Sequence, residues 1–227
     1  MKRNIAVAID GPAAAGKSTV AKEVAKIKGY TYIDTGAMYR AFTLYCLEKG
    51  VDCQDHDKCV ALIPEVSIEL KPGHIVLLNG RDVSKEIRHT NVSGNVSYIA
   101  SYKEIRLFLV DQQRKMAESS SVIMDGRDIG TYVLPNADVK IFQIASVETR
   151  AKRRYDENLS KGIPCTLEEI EEDVRKRDYI DSHRDFAPLR AAEDAIHLDT
   201  SFMSIEEVVN AIIEIIDKKL DEEAKNA

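Results

Sequence analysis

Short apolar runs that stop on a polar residue recur along this chain, and they constrain its fold more than any other feature. IAVAID ends at Asp10, YIDT carries Asp34 and VIMD ends at Asp125. VKIFQIAS, ending near Ser146, and AIHLDT, carrying Asp199, have the same form. Runs this short and this rich in Ile and Val read as strands buried on both faces. Helical periodicity fills the spaces between them, most clearly over residues 18–28, 102–118 and 204–220. Strands alternating with helices predict an α/β fold, with a parallel sheet covered by helices on both faces. Such sheets bind ligands beyond the carboxyl ends of their strands. Here those ends carry Asp10-Gly11, Asp34-Thr35, Asp125-Gly126 and Asp199-Thr200.

The first of these ends runs into Gly11-Pro12-Ala13-Ala14-Ala15-Gly16-Lys17-Ser18, followed by Thr19, which fits the phosphate-binding pattern G-x-x-x-x-G-K-[ST]. An apolar strand before it and a helical pattern after it are the context this motif requires. Its glycines let the backbone wrap phosphate oxygens with N–H groups, and the helix start adds its positive end. Lys17 brings a charge to the β- and γ-phosphates of ATP, and Ser18 offers a hydroxyl to Mg²⁺. The run ending at Asp125 resembles a Walker B strand, whose carboxylate orients Mg²⁺ and its waters; a capping or loop aspartate is the plainer alternative. Ser18 is therefore the expected metal ligand, with Asp34 or Asp125 as a water-mediated partner. Asp10 reads as support for the loop or as a turn residue. An N-K-x-D segment, which would point to guanine, is absent.

Two intervals break the alternation. Residues 35–95 are too long for one crossover, and they contain SIELKPGHIVLLNGRDVS. Pro72-Gly73 and Asn79-Gly80 punctuate short β-like runs there, which predicts hairpins in an inserted subdomain. Residues 149–166 are rich in Arg and Lys, include Lys161-Gly162, and precede the acidic helical stretch LEEIEEDVRKRD. They read as a mobile lid or as a solvated basic helix. Residues 1–34 and 96–227 then form the core that carries the lid.

Composition narrows the function. The 227 residues carry 32 Lys+Arg against 38 Asp+Glu, a net charge of -6. That balance disfavours non-specific nucleic-acid or membrane binding, which rests on many cations. No apolar run approaches the roughly 18–20 residues of a membrane span. The run from Ile5 to Ile9 is too short for a signal peptide. Cys46, Cys53, Cys59 and Cys165 form no CxxC pair and read as reduced thiols of a cytoplasmic protein. Cys53, His56 and Cys59 lack an evident fourth ligand for zinc.

A kinase acting on a small anion needs cations around both substrates, because phosphoryl transfer is mostly positioning and charge stabilisation. Arg40, Arg106, Arg127, Arg150, Arg153, Arg154, Arg177 and Arg184 are the candidates. A guanidinium can grip phosphate oxygens with two hydrogen bonds. Arg150, Lys152, Arg153 and Arg154 cluster within five residues, either as lid cations or as an exposed basic face. Arg127 follows a strand end. Arg177 and Arg184, seven apart, share one face if the helix continues through both, with Asp181 between them. An ion-paired exposed helix is the other reading of that stretch.

Together GPAAAGKST, DTGAMYRA, IRLFLVDQQR, MDGRDIGT, RDYIDSHRDFAPL and LDTSFMSIEEVV resemble the bacterial cytidylate kinases, the CMP/dCMP kinases of the nucleoside monophosphate kinase family. The pieces run in order from Gly11 to Val209; residues 51–95 match mainly in length and hairpin character. The resemblance implies a P-loop kinase fold: a five-stranded parallel sheet flanked by helices, with an inserted monophosphate-binding subdomain and a lid. It implies that Thr35, Tyr39 and Arg40 line the monophosphate pocket, and that Arg127, Arg177 and Arg184 join Arg40 on the phosphate. Ser97, Arg106 and Asp128 match positions that read cytosine. Asp181 and Arg177 match positions near the sugar hydroxyls. Arg150, Arg153 and Arg154 look like lid cations closing over the transferring phosphate. The base-reading match has a chemical reason: a carboxylate accepts from cytosine N4 and a guanidinium donates to N3, whereas uracil reverses both groups.

The expected partners are therefore ATP, Mg²⁺ and CMP or dCMP, with the protein working as a monomer and touching neither nucleic acid nor membrane. Two alternatives stand beside this reading. One is a P-loop kinase for another small acceptor, such as UMP, AMP or shikimate. The other is a nucleotide-switched ATPase or regulatory binding protein, which would release ADP whether or not an acceptor is present.

Overall fold

The computed structural model describes residues 3–160 and 162–226; Lys161, inside the expected lid, lies outside the described residues. In chain order the elements are β1 (Ala6–Asp10), α1 (Lys17–Lys28), β2 (Thr31–Asp34), α2 (Thr35–Glu48), α3 (His56–Ala61), β3 (Ile68–Lys71), β4 (Ile75–Leu78), β5 (Arg81–Asp82), α4 (Thr90–Ile99), α5 (Lys103–Glu118), β6 (Val122–Gly126), β7 (Val139–Ile144), α6 (Val147–Ser160), α7 (Leu167–His183), β8 (Ile196–Asp199) and α8 (Ile205–Asn226). All five apolar runs are strands of one parallel sheet, ordered β2-β6-β1-β7-β8.

The two-residue period of a strand divides that sheet into two faces. Val7 and Ile9 of β1 and Ile123 of β6 pack with Val20, Val24, Ile212 and Ile216 from α1 and α8. Ala8, Val122 and Met124 point the other way, onto Val110 of α5 and onto Ile129 and Val133. Register brings Asp34 level with Asp125 and Asp10 level with Gly126, so the polar strand ends share one edge. Gly11 has no room for a side chain: a Cβ there would lie 2.0 Å from the Gln143 carbonyl oxygen of β7.

Residues 35–95 contain the expected hairpins, a three-stranded antiparallel sheet β3-β4-β5. Asn79 and Gly80 both have positive φ, +50° and +81°, as a two-residue hairpin turn demands. Their core joins α2, the hairpins and α4 to Ile105 and Leu109 of α5, so this packing does not stop at residue 95. Cys46, Cys53 and Cys59 are free thiols within it. His56 pairs with Asp57 and Glu104, and among the described residues no three His, Cys, Asp or Glu side chains are arranged to hold a metal. No described helix is long and apolar enough to cross a membrane.

The basic stretch is helical: α6 ends at Ser160, and a reciprocal cap between Thr166 and Glu169 starts α7. The two helices pack through Ala151, Ile170 and Val174, with Ala14 of the glycine-rich loop against them. The expected helix through Arg184 is corrected here. α7 stops at His183, and Arg184 has extended angles, φ −66° and ψ 143°. Pro188 disfavours helical backbone at Ala187, which takes φ +48° instead.

Candidate active site

One cleft of about 970 Å³ opens along the shared strand-end edge. Ala14 to Thr19, Thr35, Tyr39, Arg40, Ser97, Arg106, Arg127, Asp128, Arg153, Arg154, Arg177, Asp181 and Arg184 all line it. Gly11, Pro12, Ala13 and Arg150 do not.

At the loop end, Lys17 is buried and donates to the carbonyls of Gly11 (2.8 Å) and Pro12 (2.7 Å), which curls the loop over its own lysine. Burial, then Arg127, pushes the Lys17 ammonium well below the ordinary lysine range. A phosphate would relieve both effects. Ser18 Oγ donates to Asp125 at 2.7 Å, and Tyr32 donates to the same carboxylate at 2.6 Å. Asp34 has other work. It caps α2 by accepting from Ala37 N–H (2.8 Å), and it also accepts from Arg40 and Arg88, each at 3.1 Å. Burial raises the Asp34 carboxyl, but Arg40 and Arg88 outweigh it and hold the net below the usual range. Of the two aspartates expected near the metal, Asp125 is therefore the one beside Ser18, and Asp34 is committed to arginines.

Hydroxyl and carboxylate oxygens are the hard donors Mg²⁺ takes, so Ser18 and Asp125 fit that ion. Asp10 lies beneath the site. Its carboxylate accepts from Ile129 and Gly130 N–H, both at 2.7 Å, and anchors a wide i→i+5 turn in which Val133 and Leu134 bond back to Asp128 and Ile129. Burial, opposed by those two hydrogen bonds, pushes the Asp10 carboxyl up to about 7.

In the middle of the cleft, Arg127 donates through Nε to buried Asp181 at 2.8 Å. Burial raises Asp181, yet Arg127, Arg184 and Arg177 together hold it below the usual carboxylate range. Arg177 is pushed down to about 10 by burial and by Arg127. Its Nε, the Nε of Arg40 and the hydroxyl of Tyr39 are shielded from solvent and make no hydrogen bond within the described chain. Unmet donors lining a cleft are what an anionic ligand would satisfy. Gly36 keeps room for this group, since a Cβ there would lie 2.9 Å from Arg40 Nη1.

At the far end, Arg106 is fully buried and paired with Asp128, and it donates to Ala100 O at 3.0 Å. Its guanidinium lies 5.3 Å from the centre of the Tyr39 ring. Arg184 reaches the same place, donating to Asp128 and to Ala100 O at 3.3 Å each. Ser97 is buried on α4 beside them. Arg184 thus stands with the pair expected to read the base, not with Arg40 and Arg177.

The three lid arginines also divide. Arg153 donates to Ala15 O (3.3 Å) and Thr200 O (2.6 Å), and Arg154 pairs with Glu157. Arg150 is buried and spends its donors on Ala145 O (2.9 Å), Ala13 O (3.0 Å) and Asp178 (2.6 Å), behind the loop. Ala13 N–H donates to Asp178 at 3.1 Å, so it is not turned toward the cleft. Sequence reasoning missed Arg88, Asp178 and Gln143, whose amide donates to Ala15 O at 2.6 Å. Gln143 had a signal, being one polar residue in the apolar run VKIFQI. Arg88 had none, because it lies where the family resemblance was mainly one of length and hairpin character.

The sequence model of the cytidylate kinases matches residues 7–218. The cytidylate kinase of Geobacillus kaustophilus is 54% identical, over 97% of this chain and 100% of its own length. That of Bacillus subtilis is 50% identical, over 96% and 99%. A gluconokinase structure from Sinorhizobium meliloti superposes with a TM-score of 0.53 at 11% identity, covering 99% of this chain and all of its own, which is a likeness of fold. A matching family model and half-identical relatives along nearly the whole length agree with the cleft: this chain belongs to the cytidylate kinase family.

Proposed function

We propose that this protein transfers the γ-phosphate of ATP to the 5′-phosphate of CMP or dCMP, giving ADP and CDP or dCDP, as a monomer in the cytoplasm. The observation that carries this reading is the buried Arg106–Asp128 pair, which shares one cleft with the Lys17 loop. Asp128 accepts from cytosine N4 and Arg106 donates to N3, with Ser97 alongside; uracil would set like groups against both, an expensive mismatch in a closed site. Arg184 holds Asp128 in place. Asp181 and Arg177 take the sugar hydroxyls, and Arg40, Arg127 and Arg177 take the monophosphate.

Transfer is in line. An oxygen of the acceptor phosphate bonds to the γ-phosphorus, and the bond from that phosphorus to the β–γ bridging oxygen breaks, leaving ADP. No general base is needed, since the acceptor phosphate is already largely ionised at neutral pH. Ser18, with Asp125 behind it, would hold Mg²⁺, which would supply neutralising charge on the phosphate oxygens. Lys17, Arg153 and Arg154 stabilise charge that develops between the phosphates, and the loop N–H groups from Ala14 to Thr19 hold the donor.

The test is ADP release with Mg·ATP against CMP, dCMP, UMP, AMP, GMP and shikimate. Turnover confined largely to CMP and dCMP is expected. Turnover with another acceptor would overturn the cytosine assignment, and release indifferent to every acceptor would mark an ATPase switch.

A further inference from the structure

Arg150 was expected over the phosphates, yet it lies behind the loop that holds them. There it forms a closed triangle with Ala13 and Asp178. Arg150 Nη1 donates to Ala13 O and to one Asp178 oxygen, and Ala13 N–H donates to the other Asp178 oxygen. Both backbone groups of one loop residue are thus held by two side chains from two helices. The residue after it, Ala14, sits at φ +57°, a left-handed conformation that disfavours any residue with a Cβ. Ala14 also packs into the small apolar cluster between α6 and α7. The triangle and the cluster together hold a strained turn that the loop would not keep on its own.

Asp178 has two functional neighbours on its helix. Arg177 precedes it, and Asp181 lies one turn further on, both lining the acceptor part of the cleft. Any displacement of α7 on filling that part is transmitted through Asp178 to the Ala13 peptide, and the reverse holds for the donor. We infer that Arg150 and Asp178 are a positioning pair that fixes the first turn of the phosphate loop to α7 and so couples donor binding to acceptor binding. This rests on the assignment of ATP and CMP to the two ends of the cleft. A coupling free energy is reciprocal, so each ligand must change the affinity of the other by the same factor.

The experiment is calorimetric titration of the full chain with CMP, in the presence and absence of a non-hydrolysable ATP analogue with Mg²⁺. Wild type is expected to bind CMP about 5-fold or more tightly with the analogue bound. Asp178→Asn keeps the shape but removes the charge that Arg150 meets, and its coupling factor is expected to fall to within about twofold of 1. Val174→Ala loosens the same helix pair without touching the triangle; it is expected to lower the melting temperature and keep the coupling, which separates positioning from mere destabilisation. If Asp178→Asn does not fold, hydrogen exchange on wild type decides instead. CMP alone, without any ATP analogue, is expected to slow exchange across residues 11–19. Wild-type coupling retained in Asp178→Asn, two ligands that bind wild type independently, or loop exchange untouched by CMP would each overturn the inference. Wild type that binds the ATP analogue but not CMP would instead sink the acceptor assignment itself, and the inference with it.

Discussion

The two ends of the acceptor part of the cleft are built on opposite plans. At the base end the charges are already paired: Arg106 and Arg184 share Asp128 and the Ala100 carbonyl, and nearly all of this is closed to water. At the end proposed for the phosphate, Arg40 and Arg127 are tied to Asp34 and Asp181, but Arg177 has no ion pair among the described residues. Arg177 Nε and Arg40 Nε have no acceptor, and neither does Arg106 Nε at the other end; what sets Arg177 apart is a pKa lowered by burial and by its neighbour Arg127. The difference supports the roles we propose for the two ends. On the function we propose, the closed Arg106–Asp128 pair reads a neutral base by geometry, because a mismatch strands groups that cannot rearrange. On the same proposal, Arg177 is completed only by the phosphate, so its stabilisation is held back for the ligand and the transition state.

Substitutions can break this comparison. The largest effect on the fold should come from Asp128→Ala, which leaves two guanidinium groups buried without their anion. We expect a loss of about 3–5 kcal/mol in unfolding free energy, together with lower CMP turnover and a narrower CMP/UMP ratio. A stable Asp128→Ala protein with an unchanged ratio would remove Asp128 from base reading. Lys17→Ala should act on rate instead, lowering turnover by about 10²–10³-fold while the circular dichroism spectrum stays native. Arg177→Gln is the sharpest probe of the contrast: turnover should fall by about 10²-fold, with stability within about 1 kcal/mol of wild type. A large loss of stability there would show that the phosphate end is as pre-paired as the base end.

Two smaller effects probe the supports of each end. Asp10 carries the turn that presents Asp128, and burial pushes its folded pKa up to about 7 from the ordinary aspartate value of 3.8. A raised carboxyl binds its proton more tightly in the folded state. Its contribution is therefore fully present below about pH 4 and is lost as pH rises toward 7. Measured against Asp10→Asn in denaturant melts, wild type should lose relative stability across that window by at most about 1.4 kcal/mol per pH unit, and then level off. Arg88→Ala should be the mildest, raising the KM for CMP by about 5-fold with kcat little changed, since Asp34 still holds Arg40.

Much of this was legible in the sequence, for identifiable reasons. Period, composition and turn chemistry are local properties. They gave the five strands, the phosphate loop between β1 and α1, and the turn at Asn79-Gly80. The division of labour among the arginines is not local. Arg150 and Arg153 lie on one face of α6, but one helical turn apart along its axis, enough to put one behind the loop and the other at its rim. The seven-residue spacing of Arg177 and Arg184 implied a shared face only if the helix continued, and it stops at His183. Asp34 has the same strand-end position as Asp125; what separates them is a pair of arginines, Arg40 six residues on and Arg88 from 54 residues away.

The loop nearest the start of the chain is completed by its latest parts. Gly11 to Gly16 are set by Gln143, by Arg150 and Arg153, by Asp178, and through Arg153 by Thr200. A ribosome delivers these residues in that order, so the glycine-rich motif emerges long before anything that shapes it. A chain stopped before β8 would carry the whole glycine-rich motif and still lack the Thr200 carbonyl that fixes Arg153. The shape of the glycine-rich loop is therefore a property of the assembled core and not of its own segment.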